Sequence, residues 1–136
     1  MPPPDVFEIR ITVTPNDIDM MDHVNNVAYL RWVQDVAVAH WRSAATAAEQ
    51  QKWLWIVLRH EIDYKQPAVL GDEIVARTWV GSASRLKFER NTELLRAGDG
   101  TLLAKALSVW CPIDAQTRRP SAASEEIRLR FAIPAR

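Results

Sequence analysis

The chain has one cysteine, Cys111, among 136 residues. A single cysteine excludes an intramolecular disulfide framework and a multi-cysteine zinc site, and Cys111, between Trp110 and Pro112, reads as a small buried core thiol. Net charge is also missing, because 17 Lys and Arg balance 17 Asp and Glu. Such a surface has no overall sign with which to grip nucleic acid or an anionic membrane. No apolar run approaches the roughly 20 residues that span a bilayer. The opening MPPPDVFEIR holds three prolines and two acids where a signal peptide needs a basic end and an apolar stretch. These absences lead to the expectation of a soluble, cytoplasmic protein. Among the four glycines there is neither a phosphate-binding loop nor GxGxxG, and GxSxG and HExxH are missing too.

What is present fits one domain over residues 1–136, with 48% apolar and 25% charged residues. Residues 1–5 read as a disordered lead-in. Six tryptophans are many for this length, and large apolar rings in a small domain often line an interface or a pocket. Val6 to Thr14 reads as a strand stopped by Pro15. From Val27 to about Ala48 no Gly or Pro intervenes, and Leu30, Val33, Ala37, Trp41, Ala44 and Ala48 recur at helical spacing. Trp32, Val36 and Ala39 make a second face apolar, so the helix is expected to be wrapped on most sides. Leu58 to Lys65 alternates, with Leu58, His60, Ile62 and Tyr64 on one face. Ile74–Val80, Leu86–Leu95 and Leu102–Cys111 supply three more strands. Gly98-Asp99-Gly100 is a strong turn and Gly81-Ser82 a weaker one; Asp114–Arg119 forms another, before one helical turn near Ser124–Arg130. Short connections make antiparallel neighbours, so the fold class is α+β, one long helix against an antiparallel sheet of five strands. Such a sheet covers one side of the helix, which points to a homodimer or homotetramer.

Few residues stand out as candidates for chemistry. Ser84 and Lys87 spell SxxK, but on an alternating strand they face opposite ways. His40 and His60 read as satisfied core or interface residues. Residues 15–26, PNDIDMMDHVNN, are different. Asp17, Asp19, Asp22, His23, Asn25 and Asn26 crowd a loop that feeds a helix N-terminus, with Asn25 or Asn26 as its cap. Two readings stay open: acids that complement the helix dipole, or a carboxylate poised beside N–H donors that polarise a carbonyl.

The run Asp17-Ile18-Asp19-Met20-Met21-Asp22-His23-Val24-Asn25-Asn26-Val27-Ala28-Tyr29-Leu30-Arg31-Trp32 resembles the signature of hot-dog-fold thioesterases, in the group similar to 4-hydroxybenzoyl-CoA thioesterase. Ile62-Asp63-Tyr64 through Pro67, Gly71 and Asp72, the Lys87–Arg90 strand and Asp114 with Thr117–Pro120 extend the likeness over nearly the whole chain. The resemblance implies a sheet wrapped around a long helix, two sheets joined into one in a dimer, and active sites at the subunit interface. It implies acyl-CoA hydrolysis with Asp19 as base or nucleophile and a backbone N–H at or next to Asn26 polarising the thioester. Coenzyme A is then part of the substrate, and no cofactor, metal, nucleic acid or membrane insertion is expected. Arg85, Lys87 and Arg90 are the candidate coenzyme contacts, with the Arg118-Arg119 pair as a further possibility. Many relatives carry Gly at the position of Asp22. Related acyl-carrier-protein thioesterases bring His23 and Asn25 forward as alternative catalytic groups, and a non-catalytic acyl-CoA-binding protein is the remaining alternative.

Overall fold

The computed structural model describes residues 6–132; the lead-in expected over residues 1–5 lies outside them. Its long helix, α1, is Asn26–Ala44. Asn25 starts it, its Oδ1 accepting the Ala28 N–H at 2.9 Å, which removes one of the helix's orphan donors. Ala28, Tyr29, Trp32, Val33, Val36, Ala37 and His40 form its buried stripe, at the spacing of one helix face.

The helix stops before Ala48. Ala45 is extended and Thr46 caps a second helix, α2, Ala47–Lys52. The Thr46 hydroxyl accepts the Glu49 N–H while the Glu49 carboxylate accepts the Thr46 N–H. This reciprocal capping box restarts the helix in a new direction, and Arg130 holds Glu49 through two bonds, at 2.6 and 3.0 Å.

The strands β1 (Phe7–Thr12), β2 (Trp53–Tyr64), β3 (Glu73–Ala83), β4 (Phe88–Arg96) and β5 (Leu102–Asp114) form one antiparallel sheet in the order β1-β3-β4-β5-β2. This is the expected α+β architecture, a five-stranded antiparallel sheet with one long helix packed against it. A short helix, α3 (Glu125–Phe131), starts at Ser124 and closes the far end.

Three local expectations need correction. Strand β2 begins at Trp53, where an unbroken apolar run has no alternation to betray it. A bulge between Val57 and Arg59 then turns Leu58 outward, 51% exposed, while His60 and Ile62 stay on the inner side. Gly81 is a bulge inside β3, where a Cβ would lie 2.9 Å from the Asn91 side-chain nitrogen. The turn comes later, at Ser84–Lys87, closed by the Ser84 N–H on the Lys87 carbonyl at 2.9 Å. Ser84 and Lys87 therefore meet in a hairpin turn, where the Ser84 hydroxyl also accepts the Lys87 N–H at 3.2 Å, and do not lie on opposite faces of a strand.

The core is divided. One apolar cluster packs the first half of α1 (Tyr29, Trp32, Val33, Val36) on Ile74, Leu94 and Leu103. The other gathers Trp53, Val80, Phe88, Ile127 and Phe131, flanked by Trp41, Trp55 and Trp110. Between them lies a polar band of Thr78, Arg90, Thr92, Ser108 and His40, all buried.

Candidate active site

The loop before α1 is built on Asp17. It is 3% exposed, and its Oδ2 accepts the Thr14 N–H and hydroxyl at 2.9 and 3.1 Å, while Arg31 pairs with Oδ1. Burial alone pushes its carboxyl up, but the Thr14 bonds and the Arg31 guanidinium outweigh it and hold the group below its ordinary value. Its backbone carbonyl accepts both the Asn25 N–H, at 2.8 Å, and the Asn25 side-chain amide, at 3.0 Å. Asp17 is thus the loop's anchor.

Asp19 sits at the loop's open side. An Ile18–Val24 bridge closes the loop's neck, and the Asp19 N–H donates to the His23 carbonyl at 2.8 Å. Its Oδ1 accepts the Met21 N–H at 2.8 Å and the His23 N–H at 3.3 Å. No described residue donates to Oδ2. Asp22 adopts a left-handed backbone, φ 60°. Apart from glycine, Asp is among the few residues that adopt that conformation readily.

An open recess of about 530 Å³, its mouth included, is lined by Asp19, His23, Val24, Asn26, Tyr29, Tyr64, Lys65, Gln66 and Pro67. Three of the sequence candidates, Asp19, His23 and Asn26, thus share one cavity. Asn26 opens α1, where backbone N–H groups have no intrahelical acceptor and the helix dipole is positive. Asn25 is not in the lining. Both ends of its amide are occupied, one by the Ala28 N–H and the other by the Asp17 carbonyl, so its place is structural.

Tyr64, Lys65 and Gln66 lie in the Ile62–Pro67 segment of the resemblance but were not site candidates, because they close a strand some forty residues downstream and carry no chemistry that ties them to the loop. The fold brings them in: the Lys65 and Gln66 N–H groups both donate to the Leu103 carbonyl. The Tyr29 hydroxyl accepts the Ala68 N–H at 2.9 Å, and Val24 donates to the Ala68 carbonyl at 2.9 Å. The wall opposite Asp19 is therefore bonded to both sheet and helix.

The candidate coenzyme contacts separate. Arg85 and Lys87 are exposed in the β3–β4 turn, at the far end of the molecule from this recess. Arg90 is 8% exposed and bonded to His40 and Thr78. Its expected role as a surface phosphate contact does not fit that placement, because on the inward face of β4 it cannot reach an exposed phosphate.

Chemically, the recess holds a carboxylate with one free oxygen beside the N-terminus of a helix. That arrangement suits attack on, or activation of water toward, a carbonyl whose growing negative charge meets N–H donors. Among the described residues no group of three or more His, Cys, Asp and Glu side chains is placed to hold a metal ion, and no helix is long and apolar enough to cross a membrane.

Residues 13–131 match the thioesterase-like superfamily, and the chain belongs to that family. It is 24% identical over 132 residues to a chloroplastic palmitoyl-acyl carrier protein thioesterase of Gossypium hirsutum, covering 90% of this chain and 32% of that protein. It is also 24% identical over 128 residues to the long-chain acyl-CoA thioesterase FadM of Escherichia coli, covering 90% of this chain and 94% of the relative. Among solved structures, a thioesterase from Thermus thermophilus complexed with coenzyme A and Zn superposes with a TM-score of 0.80 at 25% identity. That match covers 92% of this chain and 90% of the other. The chain thus spans about a third of the cotton enzyme's length. The architecture is the hot-dog fold.

Proposed function

We propose that the protein hydrolyses an acyl thioester, with Asp19 as base or nucleophile and the N-terminus of α1 polarising the carbonyl. The observation that carries this reading is the meeting of a free carboxylate oxygen, the His23 ring and the first turn of a buried helix in one open recess. A carboxylate acting as base takes a proton from water; as nucleophile it forms a mixed anhydride that water opens. Coenzyme A is the favoured carrier, since the relative matched along nearly its whole length is named an acyl-CoA thioesterase. The cotton carrier-protein thioesterase is matched over about a third of its length.

The active unit is a dimer joined along β2. That strand is an edge of the sheet, with unpaired backbone groups, and Leu54, Ile56 and Leu58 lie exposed along it. A two-fold axis near Leu58 would set the Trp53–Trp55 end of one strand against the Ile62–Tyr64 end of its partner. Arg85 and Lys87 of one protomer would then stand beside the Asp19 recess of the other, within reach of coenzyme phosphates.

The decisive experiment is hydrolysis of a panel of thioesters by variants. Asp19→Asn should lower kcat at least about a hundredfold on the best substrate, the scale of general-base catalysis. Near-normal turnover by Asp19→Asn together with a dead His23→Ala would transfer the chemistry to His23. No turnover by the unaltered protein on any coenzyme A or carrier-protein thioester would leave a non-catalytic binding protein. Arg85→Ala should raise KM more than it lowers kcat, and equal rates on coenzyme A and pantetheine thioesters would remove the phosphate contacts. Light scattering should show a dimer or tetramer at micromolar concentration.

A further inference from the structure

At the Trp53 end of β2 the chain makes a tight turn that the Asp19 recess of the same protomer does not use. Strand β5 ends there, with Asp114 paired to Trp53, and the Ala115 N–H donates to the Lys52 carbonyl at 2.9 Å. Asp114 then organises the turn. Its Oδ1 accepts the Gln116 and Thr117 N–H groups at 2.8 and 2.9 Å, and its backbone carbonyl accepts the Arg118 N–H at 2.8 Å. Its own N–H donates to the Arg119 carbonyl at 2.9 Å. Arg118 is held at φ 63°, in the left-handed region that a residue with a Cβ avoids. Such a backbone, kept for arginine where glycine fits better, points to a use for the side chain. Arg118, Arg119 and Lys52 are exposed, and none forms an ion pair with a described carboxylate. The Lys52 ammonium lies over the Trp53 ring, 4.7 Å from its centre. The fold thus builds a hydrogen-bonded corner with three cations turned to solvent.

We propose that this corner holds the nucleotide phosphates of coenzyme A for the Asp19 recess of the partner protomer. The proposal rests on the thioester-hydrolase reading and on the β2 dimer. With the two-fold axis near Leu58, Trp53 of one strand stands opposite the Ile62–Tyr64 end of the other. Lys52 and the Arg118-Arg119 turn continue that end past the strand, toward the wall that Tyr64, Lys65 and Gln66 give the partner's recess. The recess lining itself holds one lysine or arginine, Lys65, set against Asp19, with Asp63 and Asp22 close by in the chain. Its own protomer therefore has little charge with which to balance a diphosphate and a phosphate monoester. The Arg85–Lys87 turn lies farther from the shared edge. Phe88 pairs with Trp110 and Trp110 with Val57, so β5 separates that turn from β2 by one more strand spacing, about 4.8 Å. Guanidinium forks match phosphate oxygens two at a time. Arg118 and Arg119 are thus carrier-recognition residues that take no part in breaking the thioester, and each site is completed by two subunits.

Binding and turnover test this separately. In calorimetric titrations with coenzyme A, the double variant Arg118→Gly/Arg119→Gln should bind at least about tenfold more weakly than the unaltered protein. Its melting temperature should not fall, because glycine relieves the left-handed backbone, so weaker binding cannot be put down to damage. In turnover, the ratio of kcat/KM on a coenzyme A thioester to that on the matching pantetheine thioester should drop by the same factor, through KM. Mixed dimers decide which recess the corner serves. One subunit carries Asp19→Asn and an intact corner; the other carries the double variant and an intact Asp19. The mixed dimer should hydrolyse a coenzyme A thioester with the unaltered KM, because one of its two sites joins an intact Asp19 to an intact corner. A mixed dimer with the raised KM of the double variant would place the corner on its own subunit's recess and overturn the assignment. Unchanged coenzyme A binding by the double variant would overturn it outright. Should that variant fail to fold, Arg119→Gln alone decides, with an expected weakening of at least about threefold. Hydrolysis of coenzyme A thioesters that ignores these substitutions sinks the corner and leaves the hydrolase reading intact. Corner-dependent coenzyme A binding by a protein that hydrolyses no thioester does the reverse.

Discussion

At the start of α1 the buried charge has its complement: Asp17 is met by Arg31, Thr14 and the loop it organises. At the far end the buried charge, Arg90, has only the neutral His40 and Thr78. The first arrangement is what a rigid scaffold requires, since a satisfied carboxylate fixes the loop and leaves one oxygen of the neighbouring Asp19 unengaged among the described residues. The second leaves a buried cation held by neutral acceptors alone, which sets no loop and fixes no neighbouring acid. The same helix thus carries a self-sufficient polar site at one end and an incomplete one at the other.

Acid should separate the two ends. His40 is depressed to about 4, first by burial and then by the Arg90 charge, from an ordinary 6.5. The unfolded chain therefore binds this proton at a higher pH than the folded one does. Stability from this group is full above about 6.5 and is lost as pH falls toward 4. At about 1.4 kcal/mol per unit the loss is on the order of 3.5 kcal/mol. Asp17, held below its ordinary 3.8, loses its contribution only at lower pH. Denaturant titrations from pH 7 to 3 should show most of the first decline disappear in His40→Phe, with His60, which burial also lowers, supplying the remainder. If Asp17→Asn flattens the decline between pH 6.5 and 4, the assignment of the two windows is wrong.

A smaller effect tests the loop. Asn25→Ala removes the cap and the amide bridge to Asp17, and should cost about 1 kcal/mol, within the 0.5–2 range for caps. Thermal unfolding measures the loss, and kcat on the best thioester should fall far less than in Asp19→Asn. A hundredfold loss of kcat in a folded Asn25→Ala protein would return Asn25 to the chemistry. The smallest effect is at Asp22, where Gly at φ 60° relieves a left-handed Asp. Asp22→Gly should change stability by less than about 1 kcal/mol and turnover little.

Much of the candidate site's recess was legible in the residues because it is local. Asp19, His23 and Asn26 lie within eight positions, and a loop feeding a helix forces them together whatever the rest of the chain does. The strands from Ile74 onward, the Gly98–Gly100 turn and the helical turn near Ser124–Arg130 were readable for the same reason, since periodicity and turn chemistry act between near neighbours. The early stop of α1 was not, although Thr46 and Glu49 spell a capping box, because small apolar residues on both sides continue the helical pattern. Strand β2 was hidden by an apolar run in which both faces look alike, and its bulge at Leu58 broke the alternation taken from Leu58 onward.

Composition and local order by themselves determined an α+β domain with one long capped helix, and a carboxylate-rich loop at its head. Only tertiary structure decided which of the acids is buried, because that depends on Arg31 one turn into the helix and on the fold of the loop against it. It alone brought Tyr64 and Lys65 opposite Asp19. It alone turned Arg90, one basic residue among several on an alternating strand, into a buried cation: a side chain's solvent exposure is set by what the other strands and α1 lay over it, and no neighbour in sequence carries that information.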